Sequence, residues 1–176
     1  MIKFENSCGE ARCSSLSKTL KGGLEKLFDF VFIDLPANID NRNRMSHLGL
    51  MMSDFILIPV EPTRIAMNSL KDTFNLLQYT SSIGKKSSAV PEIAGLLLNK
   101  TDKRTKQYRL HHTELASIAK QNQSVIFKNF LPHSTALSTA SDDSISFASL
   151  KERYENNYDH VRLVSMELAR VINKTK

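Results

Sequence analysis

The chain has 176 residues, of which 41% are hydrophobic, and this is enough to build the core of one domain of ordinary size. Its net charge of +6 and pI of about 9.4 favour contact with polyanions. No apolar run approaches the ~20 residues of a membrane span, and the N-terminus lacks the apolar core of a signal peptide, so we expect one cytoplasmic domain over 1–176 with no membrane partner.

The first half of the chain alternates predicted helices with short apolar strands. A continuous apolar run that is rich in aromatic and β-branched residues, Phe30–Asp34, predicts a strand buried on both faces. A second run of the same kind precedes Pro59. In order, the predicted elements are a poorly ordered start (1–14), a helix (15–27), a strand (30–34), a helix (43–52), a strand (54–60) and a helix (64–82).

The second half repeats this alternation and ends in a long amphipathic helix. Its apolar stripe recurs at steps of three and four residues. The predicted elements are a strand (93–99), a helix (107–121), a short strand (125–127), a short helix (134–141) and a last helix (147–173). Strands that alternate with helices predict an α/β fold, with a parallel sheet covered by helices on both faces.

The strand that ends at Asp34 carries a carboxylate where an open α/β sheet places its ligands. Pro36 ends the strand ladder and holds the preceding residue extended, so Asp34 is expected to project into a loop. An Asp in that position is a common ligand for Mg²⁺ or for a water near phosphates. The alternative is that Asp34 only caps the following turn.

Three runs at successive strand ends resemble the ParA/MinD family of deviant-Walker P-loop ATPases. They are Phe28–Ile39, Met52–Thr63 and Gly95–Thr105, and they follow one another in the family's order. The similarity covers roughly residues 27–150. The ParA branch, whose members partition plasmids and chromosomes, is the closer match.

The resemblance implies roles for the residues that match, together with ATP and Mg²⁺ as cofactors. Asp34 corresponds to the Walker B aspartate, which organises Mg²⁺ and the attacking water. Asn99 and Pro132 fall where the family contacts adenine, and an amide side chain can pair with adenine through both a donor and an acceptor. The loop that responds to the γ-phosphate in the family corresponds to Pro36, Ala37 and Asn38.

The run Lys21–Leu27, KGGLEKL, partly copies the family's phosphate loop KGGxGK[ST], but its residues do not suit that role. No apolar strand precedes it, Leu27 replaces the Mg²⁺-binding hydroxyl, and Glu25 puts a negative charge where phosphate binds. Too few residues separate Lys26 from Asp34 for the helix that follows a phosphate loop. The sequence therefore predicts a P-loop NTPase-like fold that is N-terminally truncated or diverged, with weak or no ATP hydrolysis.

A cluster of basic residues follows the third strand. Such a cluster can neutralise DNA phosphates without reading sequence, or it can be an ordinary solvated surface. The resemblance to ParA favours DNA. The candidate DNA-binding residues are Lys100, Lys103, Arg104, Lys106 and Arg109.

These observations leave two functional hypotheses. The first is a ParA-like partition protein, an ATPase by descent, with non-specific DNA and a centromere-binding protein as partners and with a homodimer or a dimer with intact ParA as its assembly. The second is a non-catalytic adaptor or DNA-binding module that acts on an intact ParA or on its centromere-binding partner.

Overall fold

The computed structural model describes residues 10–36, 44–84, 91–142 and 144–174. The described residues within 1–56 and 72–92 form one compact unit, and those within 57–71 and 93–176 form a second. The expectation of a single domain stays a prediction. Of the predicted poorly ordered start, residues 1–9 lie outside the described residues, and for residues 10–14 the prediction is wrong, since they belong to a helix.

Helices and a small parallel sheet make up the described part of the chain, which confirms the α/β class. The helices are α1 (Glu10–Leu24), α2 (Arg44–Met52), α3 (Arg64–Gly84), α4 (Lys106–Gln121), α5 (Thr135–Thr139), α6 (Leu150–Tyr154) and α7 (Tyr158–Lys174). The strands are β1 (Phe55–Val60) and β2 (Glu92–Leu98). None of the helices in these ranges has the length and apolar character needed to cross a membrane.

Strand β2 pairs with β1 on one side and with the segment 125–132 on the other. Leu96 donates its N–H to Val125 O at 2.8 Å, and Phe127 donates to Leu96 O at 2.9 Å. This segment makes only isolated parallel bridges, at Ile126 and Pro132, so the prediction of a strand over 125–127 is wrong. Within this pairing the Phe127 ring packs closely against Gly95 of β2, which has a left-handed φ of +148°.

The prediction of a buried strand at Phe30–Asp34 is also wrong. This segment has no strand assignment, and its side chains are exposed, with 83% of the Phe32 surface accessible. Burial on both faces needs a neighbouring strand, and the sheet in the described residues joins only β1 to β2. Farther along the segment, Ile33 and Leu35 pack against α2 at Gly49, where the missing Cβ leaves room for them.

The predicted last helix is broken into two helices. A turn of 3₁₀-helix, Glu155–Asn157, separates α6 from α7. Glu155 has φ +47° and ψ −128°, which no α-helix accommodates. The buried Asn157 then donates its side-chain N–H to Ser134 Oγ at 2.8 Å, so the break brings a polar group to the loop before α5.

Each unit has its own buried side chains. In the first, α1 packs against α2, and Leu50, Phe74 and Leu76 are buried. In the second, Leu97, Phe127 and Val164 form a core against which Leu131 and Leu168 pack. The C-terminal helix α7 therefore covers the segment 125–132 in the second unit.

Candidate functional site

A cavity of about 650 Å³ lies in the second unit, at the carboxyl ends of β1, β2 and the segment 125–132. Parallel strands in α/β folds present their ligand sites at this edge. The walls come from three loops and from the first turn of α4. The lining residues are Glu61, Pro62, Thr63, Lys100, Thr101, Asp102, Lys103, Arg104, Thr105, Gln107, Tyr108, Phe130, Pro132 and His133.

The loop after β2 is fixed by hydrogen bonds to its own backbone and to the neighbouring segment. Lys100 has a left-handed φ of +48°, and its N–H donates to Asn99 Oδ1 at 3.0 Å, which orients the Asn99 amide. Thr101 is buried and donates its N–H to Leu131 O at 3.1 Å. The turn is thus tied to the opposite wall of the cavity through Thr101.

The loop before α4 and the first turn of that helix form the basic side of the cavity. One of the positive charges there is paired with a carboxylate. Arg104 donates Nε and an NH group to the two carboxylate oxygens of Asp102, both at 3.0 Å. Hydrogen bonds from the Arg104 side chain and backbone lower the pKa of the Asp102 carboxyl from 3.8 to about 2. Thr105 caps the helix by accepting the Tyr108 N–H at 3.1 Å. One basic residue is therefore neutralised locally, while its neighbours keep their charge.

Phe130 supplies the aromatic wall. Lys103 Nζ lies 4.2 Å from the centroid of the Phe130 ring, a cation–π distance across the cavity. Behind the ring, His160 of α7 packs edge-on at 5.0 Å between centroids, and its Nδ1 lies 3.1 Å from Phe130 O. The cavity thus combines an aromatic face with ammonium and guanidinium groups.

The structure brings together several residues that were singled out from the sequence. Lys100, Lys103, Arg104 and Pro132 line the cavity, and Asn99 directly precedes its lining loop. Two further basic candidates lie on α4. They are Lys106, its first residue, and Arg109, whose guanidinium donates to Arg104 O at 2.9 Å.

The residues expected to act on phosphate lie in the other unit. Asp34 is exposed on the segment that follows α1, and Pro36 is the last described residue there. Ala37 and Asn38 lie outside the described residues. Within the described ranges, no group of three or more His, Cys, Asp or Glu side chains is placed to hold a metal ion. The role of Asp34 as a magnesium ligand stays a prediction.

The run that partly copies a phosphate loop is helical over residues 21–24 and a turn over residues 25–27. Lys21, Gly22 and Gly23 belong to the last turns of α1. Lys21 pairs with the Asp54 carboxylate and lies 4.0 Å from that of Glu25. A helix directs its N–H groups along its own axis, so this stretch does not form the N–H cradle of a phosphate loop.

Sequence reasoning missed Phe130, Tyr108 and the loop 61–63. The two aromatic residues are separated by most of α4, and only the parallel pairing of β2 with 125–132 brings them to one cavity. Pro132 was selected from the sequence and indicated this loop, but it did not indicate the aromatic ring of Phe130, two residues earlier.

Comparison with known proteins identifies the fold. No protein-family model and no curated protein matches the chain. Among solved structures, the chain is similar to apo McdA from Cyanthece, a ParA/MinD-type ATPase, with a TM-score of 0.63 and 21% identity over 90% of this chain. The chain has a ParA-like fold. It spans 62% of the length of the McdA chain.

Proposed function

We propose that this chain is a ParA-like partition protein that binds the base of an adenine nucleotide in the cavity and contacts DNA non-specifically through its basic loop. Weak or absent ATP hydrolysis is part of the proposal. The observation that carries it is the position of the cavity, which lies at the carboxyl edge of the parallel sheet in a chain with a ParA-like fold.

The base-binding part rests on an aromatic ring and an oriented amide at this edge. Phe130 lines the cavity, and a purine would stack on its ring in place of the Lys103 ammonium group; stacking tolerates any base. Asn99 has its Oδ1 engaged by the Lys100 N–H, so the geometry presents its amide N–H₂ as a donor. The cavity volume of about 650 Å³ lies within the usual range for small-molecule sites.

The proposal concerns binding rather than catalysis, because residues 21–24 of the run that partly copies a phosphate loop are helical and form no N–H cradle for phosphates. The role of Asp34 as a magnesium ligand stays a prediction, and no hydrolytic step is derived.

The DNA-binding part rests on uncompensated positive charge next to the cavity. Asp102 neutralises Arg104, whereas Lys103, Lys106 and Arg109 have no ion pair among the described residues. Each phosphate that such groups neutralise adds about 0.9 to the slope of log affinity against log salt.

A titration with a fluorescent ATP analogue tests the base-binding part. We expect Asn99→Ala to weaken binding about tenfold, the value of one good hydrogen bond of about 1.4 kcal/mol. Asn122→Ala, at the C-cap of α4, is the matched control and should leave the affinity unchanged. Equal affinities for the wild type and both variants would contradict the assignment of Asn99 to the base.

Electrophoretic retardation with a random-sequence duplex tests the DNA-binding part. The double variant K106A/R109A should bind more weakly and reduce the salt slope by about 2, because two phosphate contacts are lost. Lys151→Ala, on the exposed face of α6, is the control. Retardation that is insensitive to salt would contradict the proposal.

The second candidate function is a non-catalytic module that joins an intact ParA or its centromere-binding partner. The exposed apolar segment 27–33 favours it, because large exposed apolar patches mark interaction surfaces. No binding of the ATP analogue, together with retained DNA retardation, would favour this candidate over the first.

A further inference from the structure

The turn that precedes Phe130, the aromatic wall of the cavity, is hydrogen-bonded to one carboxylate of α7, that of Glu167. Glu167 accepts three hydrogen bonds from the turn that precedes Phe130. Its Oε1 accepts the Lys128 N–H at 2.8 Å, and its Oε2 accepts the backbone and side-chain N–H groups of Asn129 at 3.0 and 2.7 Å. This is a charge-assisted cluster in which one side chain satisfies two consecutive backbone donors.

The same wall receives two further contacts from the C-terminal region. His160 meets the Phe130 ring and its carbonyl oxygen, and Asn157 donates to Ser134 Oγ. The three contacts bracket the lining residues 130–133 on both sides. All of them join parts of the second unit.

Backbone hydrogen bonds to residues 96–101 hold the two ends of this wall segment, at residues 125–127 and at Leu131. Segment 125–132 bridges to β2 at Ile126 and to Thr101, after β2, at Pro132, and Leu131 donates its N–H to Leu98 O at 2.9 Å. Lys128 and Asn129 occupy the turn between these ends, and there Glu167 accepts their N–H groups. The position of Phe130 is therefore set on one side by the hydrogen bonds of Leu131 and on the other by the turn that Glu167 holds.

We propose that Glu167 is a positioning residue for the cavity: by holding the turn at Lys128 and Asn129 it sets the place of Phe130, and so it controls the affinity of the cavity for its ligand. The inference rests on the proposed function, because the ligand is the adenine nucleotide proposed above. Glu167 touches no lining residue of the cavity in the contacts described and acts through the turn.

The test combines amide hydrogen exchange with titration of the fluorescent ATP analogue on the full chain. Glu167→Ala removes all three acceptor contacts, whereas Glu167→Gln keeps the side-chain volume and one acceptor oxygen. Asp159→Asn is the control, since Asp159 lies on the same helix and makes an exposed ion pair with Arg162 at 3.4 Å. We expect exchange at Lys128 and Asn129 to rise about tenfold in E167A and less in E167Q, with exchange in β2 unchanged.

The nucleotide titration should follow the same order, with an affinity loss of about five- to tenfold for E167A, a smaller loss for E167Q and none for D159N. Partial rescue by Gln with an unchanged β2 separates positioning from general destabilisation. If the wild type and E167A bind the analogue equally well, the inference is overturned and the proposed function stands. A wild type that binds no analogue overturns the proposed function and, with it, this inference. Uniformly faster exchange in all elements of E167A and E167Q also overturns the inference, since the role would then be structural.

Discussion

Two apolar runs of this chain have the same sequence character and opposite environments. Residues 30–34 and β2 are both short and largely apolar. The first run ends in the polar Asp34, and the polar Asn99 directly follows β2. In β2, Leu96 is fully buried, whereas Phe32 in the other run is 83% exposed. The difference lies in the neighbours, because β2 has β1 on one side and segment 125–132 on the other.

An apolar pattern therefore indicates that burial of a segment would be energetically favourable. Whether the segment is buried depends on the elements that lie beside it. The run that includes Phe30 and Phe32 packs only toward its end, where Ile33 and Leu35 contact α2 at Gly49. It keeps a high strand propensity and exposed aromatic rings, which are the features of segments that pair with other chains.

The largest expected effect separates the two runs directly. Leu96→Ala should lower the free energy of unfolding by about 2–5 kcal/mol, because it opens a cavity beneath a fully buried side chain. Phe32→Ala should change it by less than about 0.5 kcal/mol, because the ring already faces solvent. Urea-induced unfolding followed by circular dichroism measures both variants. A loss of several kcal/mol in F32A would mean that the run is buried after all.

Glycine substitutions make the next comparison. Gly95 of β2 has φ +148°, and a Cβ there would lie 2.7 Å from the Phe127 ring and 3.0 Å from Val125 O. Gly95→Ala should therefore destabilise the chain by about 1–3 kcal/mol. Gly22→Ala should stabilise it by about 0.5–1 kcal/mol, since nothing lies within 4 Å of its Cβ position in α1. Thermal unfolding of both variants checks the signs, and a stabilised G95A would contradict the described pairing of β2 with 125–132.

A smaller effect concerns the N-cap of α4, which adjoins the basic loop of the cavity. Thr105 caps α4 by accepting the Tyr108 N–H, so Thr105→Ala should cost about 1 kcal/mol. Thr19 hydrogen-bonds to Ser15 O one turn earlier within α1, and Thr19→Ala should stay within about 0.5 kcal/mol. Urea-induced unfolding of the two variants measures both changes in the free energy of unfolding. Equal costs would show that the cap contributes nothing beyond an ordinary helical threonine.

The smallest effect is a pH dependence at the back of the cavity. Burial acts to raise the pKa of the Glu167 carboxyl, but the N–H groups of Asn129 and Lys128 outweigh it, and the net pKa lies below the usual 4.5. The stabilising contribution of Glu167 is then present above its unfolded pKa and is lost as the pH falls through the lowered folded value. Carboxyl ¹³C NMR of the folded protein should show Glu167 titrating below the usual value of 4.5. A pKa of Glu167 above 4.5 in the folded protein would contradict the hydrogen bonds from Lys128 and Asn129 to its carboxylate.

Much of the architecture can be read from the sequence. The apolar runs at β1 and β2 and the helices α2 to α4 lie close to their predicted bounds, since local periodicity determines them. Helix α1 covers Glu10–Leu24 rather than the predicted 15–27. The break at Glu155 was missed because apolar residues continue at four-residue steps across it, from Tyr154 to Tyr158.

The candidate site was less predictable, because its geometry depends on residues far apart in the chain. Asn99 and Pro132 were selected through a family resemblance, and their proposed contact with adenine stays a prediction. The contact of Glu167 with Asn129 spans 38 residues and leaves no local signal. The exposure of Phe32 depends on which strands the fold supplies beside it, which no local pattern records.

The most direct test of the central claim is a map of amide chemical-shift changes on adding a non-hydrolysable ATP analogue to ¹⁵N-labelled protein. The account predicts that the shifts concentrate at residues 99–108 and 130–133, around the cavity, with little change in residues 21–27 of the first unit. Shifts centred on Lys21–Leu27, or no shifts at millimolar analogue, would contradict it.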